Sequence, residues 1–247
     1  MWKKLDRVGE KYISLQGYEM EIIEYFGANN STIRFNDERG TIRKNVAFKE
    51  IKNGNVNNPY HKTTLGIGYV GEGKYKPKVN GKMSRQYRVW DAMMRRCYEP
   101  VTKRNSTYYD VSVCEEWHNF QNFAEWFDQN YVEGWYMDKD ILCYECRKYS
   151  PETCCFVPNE VNTVFKKNNQ STYNLPKGVY PKDGKYQSSI QMFGKQCYLG
   201  FFDTIEEAHE VYCTRKKMYL KEVADKWKGK IDDRVYKGIL NFDISNL

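Results

Sequence analysis

Apolar and polar positions change rhythm several times along this chain, and each rhythm predicts a different element. Glu19-Met20-Glu21-Ile22-Ile23-Glu24-Tyr25 partly alternates, which is the period of a half-buried strand. Gly27-Ala28-Asn29-Asn30 makes a turn, Thr32-Ile33-Arg34-Phe35 resumes the strand pattern, and Asp37-Glu38-Arg39-Gly40 turns again into Thr41-Ile42-Arg43. Turns this close together predict a small antiparallel β domain over residues 1–60. From residue 53 onward Asn53-Gly54-Asn55-Val56-Asn57-Asn58-Pro59 and then Gly66, Gly68, Gly71 and Gly73 interrupt every period. With Lys74, Lys76, Lys78 and Lys82 they predict an extended, mobile, basic linker over residues 61–83.

Helical spacing begins at Ser84, where Tyr87, Trp90, Met93, Met94 and Cys97 form one stripe. Phe120, Phe123, Ala124 and Phe127 form a second between Asn119 and Gln129, and both aromatic stripes read as core. After a polar stretch at 168–172 the strand rhythm returns in Gly178-Val179-Tyr180, Lys185 to Gln191 and Lys195 to Phe202, separated by Asp183-Gly184 and Phe193-Gly194. Asp203 or Thr204 can cap a helix whose apolar positions include Ile205, Ala208, Val211, Tyr212 and Tyr219. The whole predicts an α+β chain with a central module at 84–167, a sheet-plus-helix module at 174–225 and a tail at 226–247.

Composition narrows the setting. Aromatic residues make up 16% of the 247 positions, far more than a disordered chain carries. No apolar run approaches the roughly 18 residues of a membrane span, so no membrane partner is expected. The charged start, Met1-Trp2-Lys3-Lys4-Leu5-Asp6-Arg7, has no apolar stretch of a secretory signal, and the expected compartment is the cytoplasm. The eight cysteines are then expected as free thiols or metal ligands. The net charge of +7 is unevenly spread: residues 1–80 carry 14 Lys/Arg against 9 Asp/Glu, residues 81–170 carry 12 against 13, and the rest 13 against 10. Basic flanks suit phosphate contact, and an acidic middle suits a divalent cation. Ordinary surface variation accounts for the same distribution.

The last three strands and their helix, with Gly178-Val179-Tyr180 and Tyr198-Leu199-Gly200-Phe201-Phe202-Asp203-Thr204-Ile205-Glu206-Glu207-Ala208, resemble the plant ethylene-response-factor type of DNA-binding domain over about residues 174–221. The resemblance implies a three-stranded sheet laid in the major groove of double-stranded DNA. It nominates Lys185, Tyr186, Gln187, Ser189, Gln191, Lys195, Gln196 and Tyr198 as contacts. Gln pairs bidentately with adenine, while Lys and Tyr hold phosphate. The arginines and tryptophans typical of the plant members are missing from this sheet.

The centre of the chain is similar to the phage HNH-like homing endonuclease family over about residues 84–166. The words that carry the likeness are Tyr87-Arg88-Val89-Trp90-Asp91-Ala92-Met93-Met94-Arg95-Arg96-Cys97-Tyr98, Val111-Ser112-Val113-Cys114-Glu115-Glu116-Trp117, Met137-Asp138-Lys139-Asp140-Ile141-Leu142 and Tyr149 to Pro158, closed by Asn162. The likeness implies a hairpin and helix that hold one divalent cation, Mg²⁺ or Mn²⁺, against the scissile phosphate of DNA. Asp138 and Asn162 fall on the metal-ligand positions, and Lys139 falls where the family has its histidine base. A lysine is protonated at neutral pH and cannot activate water; Asp140 is the alternative base. Cys146 stands where the family has its central asparagine. The cysteines carry a second possibility, since Cys143 and Cys146 have zinc-knuckle spacing and Cys154-Cys155 follow, so a structural Zn²⁺ is one reading and free thiols another.

Two functions fit these features. One is a sequence-directed, metal-dependent DNA endonuclease of homing type, at the nucleoid of a phage-infected bacterium, with Asp138, Lys139, Asp140 and Asn162 as its catalytic set. The other is a catalytically inactive DNA-binding protein derived from it, acting as a repressor or in competition between mobile elements.

Overall fold

The computed structural model describes residues 6–100, 110–143, 145–165 and 175–244. The fold is α+β, with several small, mainly antiparallel sheets. No described helix is long and apolar enough to cross a membrane. Contacts divide the chain into two units, Met1–Tyr109 with Glu115–Glu125, and Asp110–Cys114 with Trp126–Leu247. This division cuts through the expected 84–167 module and joins its second half to everything that follows.

In the first unit β1 (Lys11–Ile13), β2 (Glu19–Gly27), β3 (Asn30–Phe35) and β4 (Ile42–Val46) form an antiparallel meander in sequence order. The register sets Met20 opposite Phe35 and Ile22 opposite Ile33, gathering the apolar residues on one face. With Ile51 of the short helix α1 (Phe48–Lys52) and Val56 they make a core of fully or nearly fully buried side chains. Part of the basic surface expected here is already engaged: Arg34 pairs with Glu21, Arg43 with Glu72, and Arg39 lies over the Tyr60 ring.

The first part of the expected linker, residues 61–75, is instead a packed strap. Tyr69 bridges Asn119 in parallel, and the Gln121 side chain donates to Val70 O and Tyr75 O while accepting from Tyr75 N–H. Three of the four glycines that made the segment look mobile, Gly68, Gly71 and Gly73, are there for close approach. A Cβ on Gly68 would stand 2.8 Å from the Trp90 ring, and one on Gly71, whose φ is +73°, would stand 2.1 Å from Asn119 Oδ1. A two-stranded hairpin, β5 (Lys78–Val79) and β6 (Lys82–Met83), leads into α2 (Arg85–Tyr98), capped by Ser84, which accepts Tyr87 N–H. Trp90 of α2 donates its indole N–H to Trp117 O. The unit boundary falls within α3 (Phe120–Asn130).

In the second unit β7 (Ser112–Val113) pairs in parallel with β9 (Lys148–Tyr149), and β8 (Tyr136–Asp138) pairs antiparallel with β10 (Cys155–Val157). Helix α4 (Asn159–Val164) follows β10 directly. The last sheet, β11 (Val179–Lys182), β12 (Lys185–Met192) and β13 (Lys195–Phe202), is an antiparallel meander with a bulge after Ser188. Thr204 and Glu207 form a capping box that starts α5 (Ile205–Trp227).

α5 is 23 residues long, more than the small sheet can cover. Its first half faces the sheet, where Ser188 Oγ donates to Ala208 O and Gly178 allows the Tyr212 ring against the backbone. In its second half Tyr219, Leu220, Val223 and Ala224 share one core with Ile141, Val157, Val161 and Val164. Ile231, Val235 and Ile239 complete that core from and just before α6 (Asp233–Leu240). The expected boundary at residue 167 is therefore crossed by a continuous core, and the expected tail contains a capped helix that buries Val235 and Ile239.

Candidate functional site

Asp138 ends β8 and is opposite Cys155 of β10. Its Oδ1 accepts the backbone N–H groups of Asp140 at 2.8 Å and Ile141 at 3.0 Å, so the carboxylate caps the turn that follows the strand. Burial pushes its pKa up; the hydrogen bond from Ile141 opposes that, and the charge of Asp140 adds to it. Lys139 is 5% exposed. Its Nζ donates to Asp140 Oδ1 at 2.5 Å and to Cys146 O at 3.3 Å, and lies 5.9 Å from the centre of the Tyr149 ring. Both residues nominated as the base are thus bound to each other.

Asn162 is half-buried on α4, the helix that packs against β8. As donors Asp138 and Asn162 suit the oxygen preference of Mg²⁺ or Mn²⁺. One Asp138 oxygen is already committed to two backbone donors, and no cluster of three or more His, Cys, Asp or Glu able to hold a metal exists among the described residues. Asp138 Oδ2 and the Asn162 amide oxygen would hold such a cation, leaving most of its shell to water and phosphate. The cation would supply charge stabilisation at the phosphate. The histidines have other partners: His61 lies 3.1 Å from the Tyr18 hydroxyl, His118 3.3 Å from that of Tyr98, and His209 between Lys177 O and Cys213 Sγ.

The cysteines depart from expectation. Cys143 and Cys146 are joined in a disulfide; a turn in which Cys146 N–H donates to Cys143 O brings their Cα atoms to 5.3 Å, within bonding range. Cys154 and Cys155 are buried free thiols; burial pushes the first up to about 12 and raises the second as well. Zinc needs thiolates, so in this form the four sulfurs do not make a zinc site.

The nominated DNA contacts divide by strand parity. Cross-strand pairs Gln187 with Phe201, Ser189 with Tyr198, Gln191 with Gln196, Tyr180 with Gln187 and Lys182 with Lys185 place all of these on the face away from α5. Side-chain contacts agree: Gln196 donates to Ser189 Oγ at 2.7 Å, Tyr198 and Phe201 stack edge-on at 5.4 Å, and the Lys182 ammonium lies 5.8 Å from the centre of Phe201. Lys185, Gln187, Ser189, Gln191, Gln196 and Tyr198 therefore share one face. Ser189 is buried within it, and Lys185 is paired with Asp203. Tyr186 and Lys195 have the opposite parity, opposite Phe202 and Met192, and belong to the helix-facing side. The nomination missed Tyr180, Lys182 and Phe201, which the cross-strand register sets beside Gln187 and Lys185. No protein-family model, no curated protein and no solved structure matches this chain.

Proposed function

We propose that this chain binds double-stranded DNA through the α5-distal face of the β11–β13 sheet, and that its ββα module serves as scaffold and not as a nuclease. The observation that carries the first half is the concurrence on one exposed face of two lysines, three glutamines and three aromatic rings, with Tyr198 57% exposed. Amides can read base edges, while lysines and tyrosine hydroxyls hold phosphate. The second half rests on Lys139, which falls on the base position of the resemblance and donates its Nζ to Asp140 Oδ1 and Cys146 O.

Selection of bound sites from a random duplex pool, followed by a salt titration, tests the first half. Replacing both Lys182 and Lys185 by Ala should lower the slope of log affinity against log salt by about 2, each phosphate contact being worth about 0.9. Gln191→Ala should lose about 1–3 kcal/mol at one base pair and leave other positions alone. An unchanged salt slope refutes the face assignment. Incubation of plasmid or phage-length DNA with Mg²⁺ or Mn²⁺ tests the second half: no cleavage is expected, and metal-dependent cuts that Asp138→Ala abolishes would establish the endonuclease instead.

A further inference from the structure

The stripe that α5 turns inward contains one residue of the wrong kind. Ala208, Tyr212, Tyr219 and Val223 follow apolar helical spacing, and Lys216 occupies the position between them, 6% exposed. Its Nζ donates to Val164 O, at the C-terminal end of α4, at 2.8 Å. No carboxylate pairs with it among the described residues. The acid that lines a cleft with it, Glu160 of α4, is held by Lys226 at 2.7 Å and by the Trp227 indole N–H at 2.8 Å. Lys177, ahead of β11, adds repulsion, and burial with this repulsion lowers the Lys216 pKa to about 8. The protein has buried a cation without burying its counterion.

Lys216 lines a cleft of about 750 Å³ within the second unit, between α4, α5 and the last sheet. One wall is an open strand edge. β11 covers β12 only as far as Ser188, and the last rung is Ser189 N–H to Gly178 O. Beyond it Ile190 to Met192 pair with β13 alone, and Gln191 turns its backbone groups toward the cleft. The side chains of Gln191 and Gln196 offer amides there, and Tyr180 and Phe193 offer ring surface. The volume lies in the range of small-molecule sites and far exceeds what a bare phosphate fills.

An uncompensated cation in the lining calls for an anion, and the rings and amides that share the lining call for a flat, hydrogen-bonding body. We propose that this cleft binds a nucleoside phosphate, with the phosphate on Lys216 and the base against the Tyr180 and Phe193 wall, between the Gln191 and Gln196 amides. The source is a free nucleotide or an unpaired nucleotide of a DNA strand. The site is distinct from the duplex-binding face through Lys216 and Phe193, while Tyr180, Gln191 and Gln196 border both.

Calorimetric titration of the full chain with deoxyadenosine monophosphate, with a short single-stranded oligodeoxynucleotide and with inorganic phosphate tests this. Either nucleotide arm should bind, the arm that binds more tightly naming the source, and both should bind more tightly than phosphate. Lys216→Met should weaken nucleotide binding at least about tenfold, the loss expected for a charge-assisted partner, while Lys216→Arg retains it. Lys221→Ala, outside the cleft lining and off the sheet face, should leave it unchanged. In nitrogen-labelled protein the Lys216 ammonium should titrate at higher pH when nucleotide is present. Equal binding by wild type and Lys216→Met, no binding in any arm, or phosphate binding as tightly as nucleotide would each overturn the proposal.

Discussion

Replacing Lys216 by methionine should stabilise the protein at neutral pH, against the usual result of altering a buried residue. The folded chain holds this ammonium at a pKa of about 8 against an ordinary value of 10.5. At about 1.4 kcal/mol per pH unit, that difference means roughly 3 kcal/mol lost on burying the charge at pH 7. Methionine keeps an unbranched stem of similar length and removes the charge. The loss against this gain is the hydrogen bond to Val164 O, about 1–1.5 kcal/mol. The net expectation is a gain of about 1–2 kcal/mol.

The sign of the pH dependence separates this cause from better packing. Because the folded pKa is the lower one, the unfolded chain binds more protons between about 8 and 10.5. Wild-type stability therefore gains over that window what it lacks below it, and the advantage of Lys216→Met shrinks as pH rises. Urea unfolding followed by far-ultraviolet circular dichroism, on both proteins near pH 7 and near pH 10, measures the difference directly. Taking the variant against wild type cancels the other groups that titrate there. A variant less stable at pH 7, with a gap that does not change with pH, would refute the reasoning. Nucleotide bound in the cleft should close the gap at pH 7, since it supplies the missing counterion.

Other substitutions test other parts of the structure. Gly178→Ala puts a Cβ 2.1 Å from the Tyr212 ring at a φ of +83°, and should cost about 3 kcal/mol or more in urea unfolding. Asp138→Ala strips two backbone N–H groups of their acceptor and should cost about 2 kcal/mol, whereas Asp138→Asn, which keeps an oxygen in place, should cost well under half of that. Thr204→Ala removes the capping box of α5, a loss of about 1 kcal/mol in the same assay.

What the sequence disclosed follows the reach of the interactions involved. The β2–β3 register, the stripe of α2 and the three strands before α5 are local patterns, and each is legible from residues within a few positions of one another. The strap was not, because a glycine that frees a linker and one that admits Trp90 are the same residue in sequence. The merging of the two expected modules was equally hidden. Tyr219, Leu220 and Val223 continue the spacing of Ala208 and Tyr212 whether they meet the sheet or Val157 and Val161. At the candidate centre the order Asp138-Lys139-Asp140 was plain, while the Lys139 contact to Cys146 O depends on a loop that returns only in three dimensions.

That centre also bears on how nuclease-like residues are weighed. Asp138 carries a load without any metal: remove it and the turn into Ile141, itself part of the core shared with α5, loses its cap. Lys139 and Asp140 likewise satisfy each other, and Lys139 reaches the backbone of the loop closed by Cys143 and Cys146. Each member of the expected catalytic set on β8 and its turn has a folding role that would preserve it after catalysis had gone. Their presence is therefore weak support for hydrolysis. Lys216 is the opposite case. Burial lowers its pKa, no carboxylate among the described residues pairs with it, and a stability argument alone would replace it with an apolar residue. A residue kept at a cost to the fold points to function more strongly than one the fold needs, which is why the cleft carries more weight here than the motif.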